Sequence, residues 1–539
     1  MRQCIALTCL STLLLASCTV GTTATAAHTV SPEPVILPAA GPLTPGQLAG
    51  VPDRWRAYLQ AVHAADRIVD PLERCLAFPD LPDTHWSREQ TAAHCRTHHS
   101  PYLPPEEVLS RLGRGDVASV EETVAAYQRA HQAQDQRSET IHVFYNQLAG
   151  APAADRTTAR WLALAPESPF ALTARATYLV NEAGLARGQE FASKTPQAAF
   201  DRMNALLAQA RPLYEQAIRI APQSMPARIL ALRSAMLTGD RRRMDRLFED
   251  ATAVDPACEF LTSERMMALR PRWGGSYAEM EAYADTLRAQ LPNRPRIAQQ
   301  LVEPLVDRAE VLMCQDAECP QAVDQAEALL RKALDQVADE SAMKDLQWIV
   351  DKASLDGRDG HEGVLLSTQL SRFVPHHASY GLLALRLPND PAWRLQYAER
   401  ALAAAPEDAE TRVFAGDLSF RLGDPQRAES RLGGCVDDPR YGGKCLQSLV
   451  WGWLSAASIP PAERSAHAGP WLDRAQARRP EDPVLWLYRA MQSAYAGDEA
   501  GERRALERYD ALPEAGQRES AARRDAIVHL IDETLGRSP

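Results

Sequence analysis

The chain has 539 residues, more than one compact core can serve, so two or more domains or one elongated array is expected. Hydrophobic residues make up 45% and charged residues 24%, as in ordinary folded proteins. The net charge of −11 is spread without any run of Lys or Arg, which excludes the clustered basic footprint of a nucleic-acid-binding protein.

Residues 1–18 read as an export signal. Arg2 gives a positive start, and Ile5 to Ala16 form an apolar stretch too short to act as a spanning helix. The stretch ends in Leu15-Ala16-Ser17-Cys18, which resembles the bacterial lipobox. That resemblance implies acylation of Cys18 and cleavage before it, and two or more acyl chains give firm anchoring. Thr19 in place of Asp implies sorting to the outer membrane, with the body in the periplasm. The competing reading is ordinary secretion with cleavage near Ala24-Thr25-Ala26. Residues 19–50 are rich in Thr, Ala and Pro, with prolines at 32, 34, 38, 42 and 45, and are expected to be a disordered tether. Its reach is roughly 30 Å.

Residues 51–150 form a helical N-terminal region, with helices expected at 51–67, 87–98, 104–113 and 116–148. A loop at Pro79-Asp80-Leu81-Pro82-Asp83 is expected to be held by a Cys75/Cys95 disulfide. Cysteines 314/319 and 435/445 form two further local pairs, natural disulfides in an oxidising compartment. Six cysteines allow 15 connectivities, so proximity is the only guide. Cys258 is left over and reads as a buried apolar thiol. His94-Cys95-Arg96-Thr97-His98-His99 is the densest ligand cluster, with His94 and His98 on one helix face. With His85 or Cys75 it resembles a helical zinc site. Against that, Cys95 is better used in a disulfide, and imidazoles near a helix C-terminus are favoured there anyway. No metal and no cofactor is assigned.

Residues 151–300 carry helical hairpins. Pro166 opens a helix over Phe170–Val180, followed by an insert of about 22 residues before a helix through Tyr214, Ala217 and Ile220. Pro222, Gly239-Asp240 and Pro256 then begin a punctuation that recurs as Pro406, Gly423-Asp424, Pro439 and as Pro480, Gly497-Asp498, Pro513. This spacing of 33–34 residues resembles the tetratricopeptide period. Gly ends helix A in a left-handed conformation, Asp caps helix B, and Pro stops helix B before the next unit. Gly416 and Ala428 hold the small-residue positions of the middle copy, with Leu418 and Leu422 inside. Between Pro256 and Pro292 the inter-helix turn is Pro271-Arg272-Trp273-Gly274-Gly275-Ser276, with Trp273 packed into the next helix pair. That turn lacks the Lys of a phosphate-binding loop and the frame of a nucleophile elbow. Residues 301–390 are degenerate helical repeats, with helices near 296–313, 321–337, 341–354 and 362–373. Residues 391–539 are the C-terminal repeats, opening with a helix at 391–405.

Trp161-Leu-Ala-Leu-Ala-Pro166-Glu-Ser-Pro169, Ala186-Arg187-Gly188 and the Pro271–Ser276 turn are similar to a bacterial tetratricopeptide-like family of unknown function. The resemblance covers about residues 105–300. It implies the helical fold and supplies no activity.

The expected fold is therefore all-α, a tetratricopeptide-like helical-hairpin solenoid with a less regular N-terminal part. No catalytic constellation is present, and the chain is read as a non-enzyme: a lipid-anchored envelope scaffold binding a protein or peptide. Helix-A residues Arg233, Asp417, Arg421, Met491 and Tyr495 are the expected groove. The alternatives are a structural subunit of an envelope or secretion assembly, and a metalloprotein using the N-terminal His/Cys cluster.

Overall fold

A computed structural model describes residues 41–135, 138–188, 192–315, 320–355, 360–374, 377–388, 390–513 and 518–537. Among the described residues are 26 α-helices, four short 3-10 turns and no strand. The protein is an all-α assembly of tetratricopeptide-like hairpins. Cys18, Cys319 and the side chain of Cys314 lie outside the described residues, as does the turn at 356–359.

The chain divides into two compact units. Residues 83–355 form the first; residues 41–82 and 360–537 together form the second. The expected N-terminal region 51–150 is thus shared between them.

Two recurring turns build both units. In the first, a glycine adopts positive φ, and the following Asp closes a bond back to the helix and caps the next one. Gly239 (φ 71°), Gly423 (φ 76°) and Gly497 (φ 78°) all do so. The amides of Asp240, Asp424 and Asp498 reach the carbonyls of Ala235, Ser419 and Ser493 at 2.9–3.0 Å. Their carboxylates accept from the amides of Arg243, Arg427 and Gly501. Only glycine takes that φ without strain, and Asp supplies the N-cap. A fourth copy, Gly115-Asp116, closes onto Arg111 in the same way and joins Pro105–Gly113 to Val117–Ala133.

The second turn links hairpins. Ser168, Ser224, Asp408 and Asp482 each donate their amide to the residue three back (Ala165, Ala221, Ala405 and Arg479), with a proline at the corner each time. Ser168, Asp408 and Asp482 then cap the helices Pro169–Arg187, Ala409–Arg421 and Pro483–Tyr495.

In the first unit the expected helix over 116–148 is two, Val117–Ala133 and Thr140–Gly150, broken where Gln134 turns left-handed at φ 55°. The expected insert after Val180 is no insert. Pro169–Arg187 and Gln197–Ile220 run to 19 and 24 residues and pack as one long hairpin. Trp273 packs back onto the preceding hairpins, against the two core clusters that contain Leu237 and Met236, with the Arg187 guanidinium 4.8 Å above its ring. It does not enter the next pair. The helices Gln299–Gln315, Pro320–Leu334 and Glu340–Leu355 fall where expected.

In the second unit, part of the expected tether is structured. Leu43 and Leu48 are buried, and the Gln60 amide clasps the Leu43 backbone from both sides, at 2.9 and 2.6 Å. The segment continues into Asp53–Ala65 and is fastened at Asp66. That buried carboxylate accepts from Trp393 Nε1 (2.8 Å), the Tyr397 hydroxyl (2.6 Å) and Arg400 Nη1 (3.0 Å), all on Pro391–Ala404. Arg372, buried on His361–Phe373, donates to the Cys75 carbonyl and to Asp80 and holds the proline loop. Gly416 lies against Leu432 and Ala428 is buried, as the hairpin requires, whereas Leu422 is exposed at the helix end. Cys435 and Cys445 form a disulfide between Pro425–Gly433 and Gly442–Ser455. A last helix, Arg518–Leu535, packs on Pro483–Tyr495 and buries Ile527 and Ile531.

Candidate functional site

Two places gather polar or aromatic groups beyond what packing alone requires, one in each unit.

In the second unit, Ala409–Arg421, Gly442–Ser455 and Pro483–Tyr495 are the A helices of successive hairpins and pack side by side. Their common face carries Phe414, Asp417 and Arg421, then Lys444, Ser448 and Trp451, then Tyr488. The spacings of three, four and seven place each set along one side of its helix. Lys444, exposed, sits 5.6 Å from the Phe414 ring centroid. Trp451, 38% exposed, stacks on Tyr488 with centroids 5.6 Å apart. Asp417 is hydrogen-bonded to Ser448; burial raises its pKa while Ser448 and Lys444 oppose the rise. An exposed Trp beside Lys and Asp is the kind of surface that anchors a peptide.

The expected groove residues are therefore only partly together. Asp417 and Arg421 lie on this face. Met491 and Tyr495 do not offer a surface: Met491 is fully buried, and the Tyr495 hydroxyl bonds Thr534 at 3.1 Å under the last helix. Arg233 belongs to the first unit, where it is tied by an ion pair to Glu264 of the next A helix. Lys444 and Trp451 were missed because their hairpin lacks the Gly-Asp punctuation. The signal was the Trp451-Gly452-Trp453 run, whose Gly452 admits the Phe420 ring.

In the first unit a buried network of ionisable groups runs through the interior. At one end His94 donates Nε2 to Glu340 (2.5 Å), and the Gln299 amide faces its Nδ1 at 2.5 Å. Burial, helped by Arg296, lowers the His94 pKa to about 3, so the ring is neutral. Burial opposes ionisation of Glu340, but His94 and His98 outweigh it and hold its pKa well below the carboxylate range. Asp339, the adjacent cap, is raised to about 8 by burial and by Glu303. His98 lies 2.9 Å from Glu340, whereas His85 is 82% exposed and pairs with Asp335. The zinc site that takes His85 as a ligand is thus not assembled, and both nitrogens of His94 have protein partners. Cys75, its other possible ligand, is disulfide-bonded, as is Cys95, so neither offers a thiolate.

At the other end His131, His142 and Cys258 converge, all buried, with one ligand atom of each within 4.8 Å of the others. Cys258 caps Glu259–Ala268, and its Sγ is 3.6 Å from His142 Nε2. His131 Nδ1 donates to the Ser138 carbonyl at 2.8 Å. Its Nε2 faces Asp255 Oδ2 at 3.6 Å, too far for a hydrogen bond. Burial lowers the pKa of both imidazoles and raises that of the Cys258 thiol. Glu139, next to this group, is pushed up to about 8 by burial and by Glu259. The sequence held no sign of this trio, since its members lie on three separate elements.

No family model matches the sequence, and none of the curated proteins searched matches it. Among solved structures it is similar to the Cut9–Hcn1 hetero-tetramer of APC/C, at 11% identity and TM-score 0.28, over 90% of this chain and 98% of that one. It is also similar to the human IFIT1 dimer with PPP-AAAA, at 10% identity and TM-score 0.22, over 81% and 98%. Yeast Tom70 aligns at 13% identity and TM-score 0.21, over 67% and 85%. At that level of similarity no partner or activity carries across.

Proposed function

We propose that the protein is a helical-repeat scaffold of the bacterial cell envelope that binds a protein partner through the helix-A face of its second unit. The observation that carries this reading is the exposed Trp451, stacked on Tyr488 and flanked by Lys444 and Asp417 on one helical face. An aromatic anchor with charges at its rim fits a partner segment that presents an apolar side chain next to a carboxylate. No residue assigns a reaction, so the reading is of binding without catalysis.

A photo-crosslinking amino acid at Ser455, one turn beyond Trp451, tests it in cells. A defined partner should be captured, and Trp451→Ala with Lys444→Glu should reduce capture by at least about tenfold, as the loss of a hot-spot residue does. A partner captured equally well by that variant removes this face from consideration.

The anchoring rests on Leu15-Ala16-Ser17-Cys18 alone. With Cys18 acylated, the body is held in the periplasm at the outer membrane. Cys18→Ala should move the chain from the membrane to the soluble fraction. Six of the remaining cysteines are read as the pairs 75/95, 314/319 and 435/445. Alkylation of the denatured, unreduced chain should then find one free thiol, Cys258; several free thiols would remove the oxidising compartment. The likeness of residues 105–300 to the tetratricopeptide-like family of unknown function stays at the level of its motifs.

A further inference from the structure

Two clusters in the first unit have the residue types of a metal site, and they differ in what their ring nitrogens face. At His94 both nitrogens are occupied, one by Glu340 and one by Gln299. At His131 one is not. Donation from Nδ1–H to the Ser138 carbonyl fixes the tautomer and leaves Nε2 with a lone pair. That Nε2 is buried with no hydrogen-bond partner, and the Asp255 carboxylate oxygen lies 3.6 Å away. A lone pair and a carboxylate facing each other out of water repel, and a buried acceptor left without a donor is destabilising. A cation between them satisfies both.

The other two members supply the rest of a coordination shell. Zinc bonds of about 2.0–2.1 Å to nitrogen and 2.3 Å to sulfur, at tetrahedral angles, hold an N and an S ligand about 3.6 Å apart. His142 Nε2 and Cys258 Sγ are separated by 3.6 Å. Asp255 lies 3.6 Å from His131 Nε2 but outside the group of three whose ligand atoms are mutually within 4.8 Å, so its carboxylate moves inward to complete the shell. Outer groups are also those of a metal site. The Ser138 carbonyl orients His131, Phe260 stacks on His142 with centroids 4.7 Å apart, and Arg294 donates to Asp255 at 3.1 Å. The competing account, a thiol donating to an imidazole, explains the Cys258–His142 distance but leaves His131 Nε2 unexplained.

We propose that His131, His142 and Cys258, whose ligand atoms lie within 4.8 Å of one another, form a buried binding site for one zinc ion, with Asp255 drawn in from beside His131 as the fourth ligand. Zinc binding deprotonates the Cys258 thiol and releases that proton to solvent. One thiolate and one carboxylate then offset the charge of the ion, with Arg294 held on the same Asp255 oxygen. All four positions are filled by protein, so the ion is structural. It ties Val117–Ala133 and Thr140–Gly150 to the start of Glu259–Ala268.

Because the ligands are buried, the ion enters during folding. The test uses the untagged mature chain, refolded under oxidising conditions with and without one equivalent of zinc or cobalt. Four results are expected: one zinc per chain after gel filtration, a sulfur-to-cobalt charge-transfer band, protection of Cys258 from a thiol reagent under native conditions, and a higher unfolding temperature. Cys258→Ala and His131→Gln should each lose the ion, and His94→Gln should keep it. Wild-type chain that folds without retaining zinc overturns the proposal, as does a Cys258 thiol equally reactive with and without zinc. Zinc kept by Cys258→Ala and lost by His94→Gln also overturns it and moves the ion to the Glu340 cluster.

Discussion

Replacing Asp66 by Ala leaves Arg400 without its buried partner and orphans the indole N–H of Trp393 and the hydroxyl of Tyr397. Breaking such a pair costs about 3–5 kcal/mol, so chemical denaturation of Asp66→Ala should show a loss of that order. Asp339 acts in the opposite sense. Its pKa rises from an ordinary 3.8 to about 8 on folding, so the folded state holds a proton that the unfolded chain has released. That contribution is complete below the unfolded pKa and is lost as pH rises through the folded one. His94, held near 3, works against acid instead: stability falls as pH drops below the ordinary histidine value. Between about pH 6.5 and about pH 8 only the carboxyl effect of this pair remains. The unfolding temperature of wild type should therefore decline across that window, and Asp339→Asn should reduce the decline, leaving the share of Glu139, which is raised to about 8 as well. An equally steep slope in the variant would assign it to other groups. Asp66 did not stand out in the sequence, because an isolated Asp has no periodicity and its partners lie more than 300 positions away.

At the scale of the helical hairpin, two glycines of one repeat separate strain from space. Gly423 has φ 76° and open space for 4 Å around the position a Cβ would take, so Gly423→Ala meets only backbone strain, about 1–2 kcal/mol. Gly416 has ordinary helical backbone, but a Cβ there would collide with the Leu432 side chain. Gly416→Ala should cost about 1–3 kcal/mol by overpacking. A second change, Leu432→Val, should recover part of the loss at 416 and none at 423, as read by urea midpoints. These hairpins were readable from Pro and Gly-Asp spacing because each residue does a local job in a turn. The same logic applied to Gly115-Asp116 would have found the fourth copy, which lacks the full spacing. What escaped was tertiary. The extension of Gln197–Ile220 through the supposed insert follows from packing against Pro169–Arg187, and the tie of Tyr495 to Thr534 comes from a last helix with no punctuation of its own.

At the scale of the whole chain, two compact units predict two cooperative transitions in calorimetry. Asp66→Ala should lower one of them, and Asp339→Asn should change the pH response of the other; a single transition moved by both would make the units one cooperative block. No composition shift marked this division, since the chain leaves the second unit after residue 82 and returns to it after residue 356. The clasp of Asp66 on Trp393, Tyr397 and Arg400 has a consequence in time. As the chain leaves the ribosome, residues 41–82 emerge first, yet their partners on Pro391–Ala404 are made only after the entire first unit. Until then Leu43, Leu48, Trp55 and Tyr58 have no core to enter, and they form a nascent segment that a holding chaperone would have to shield.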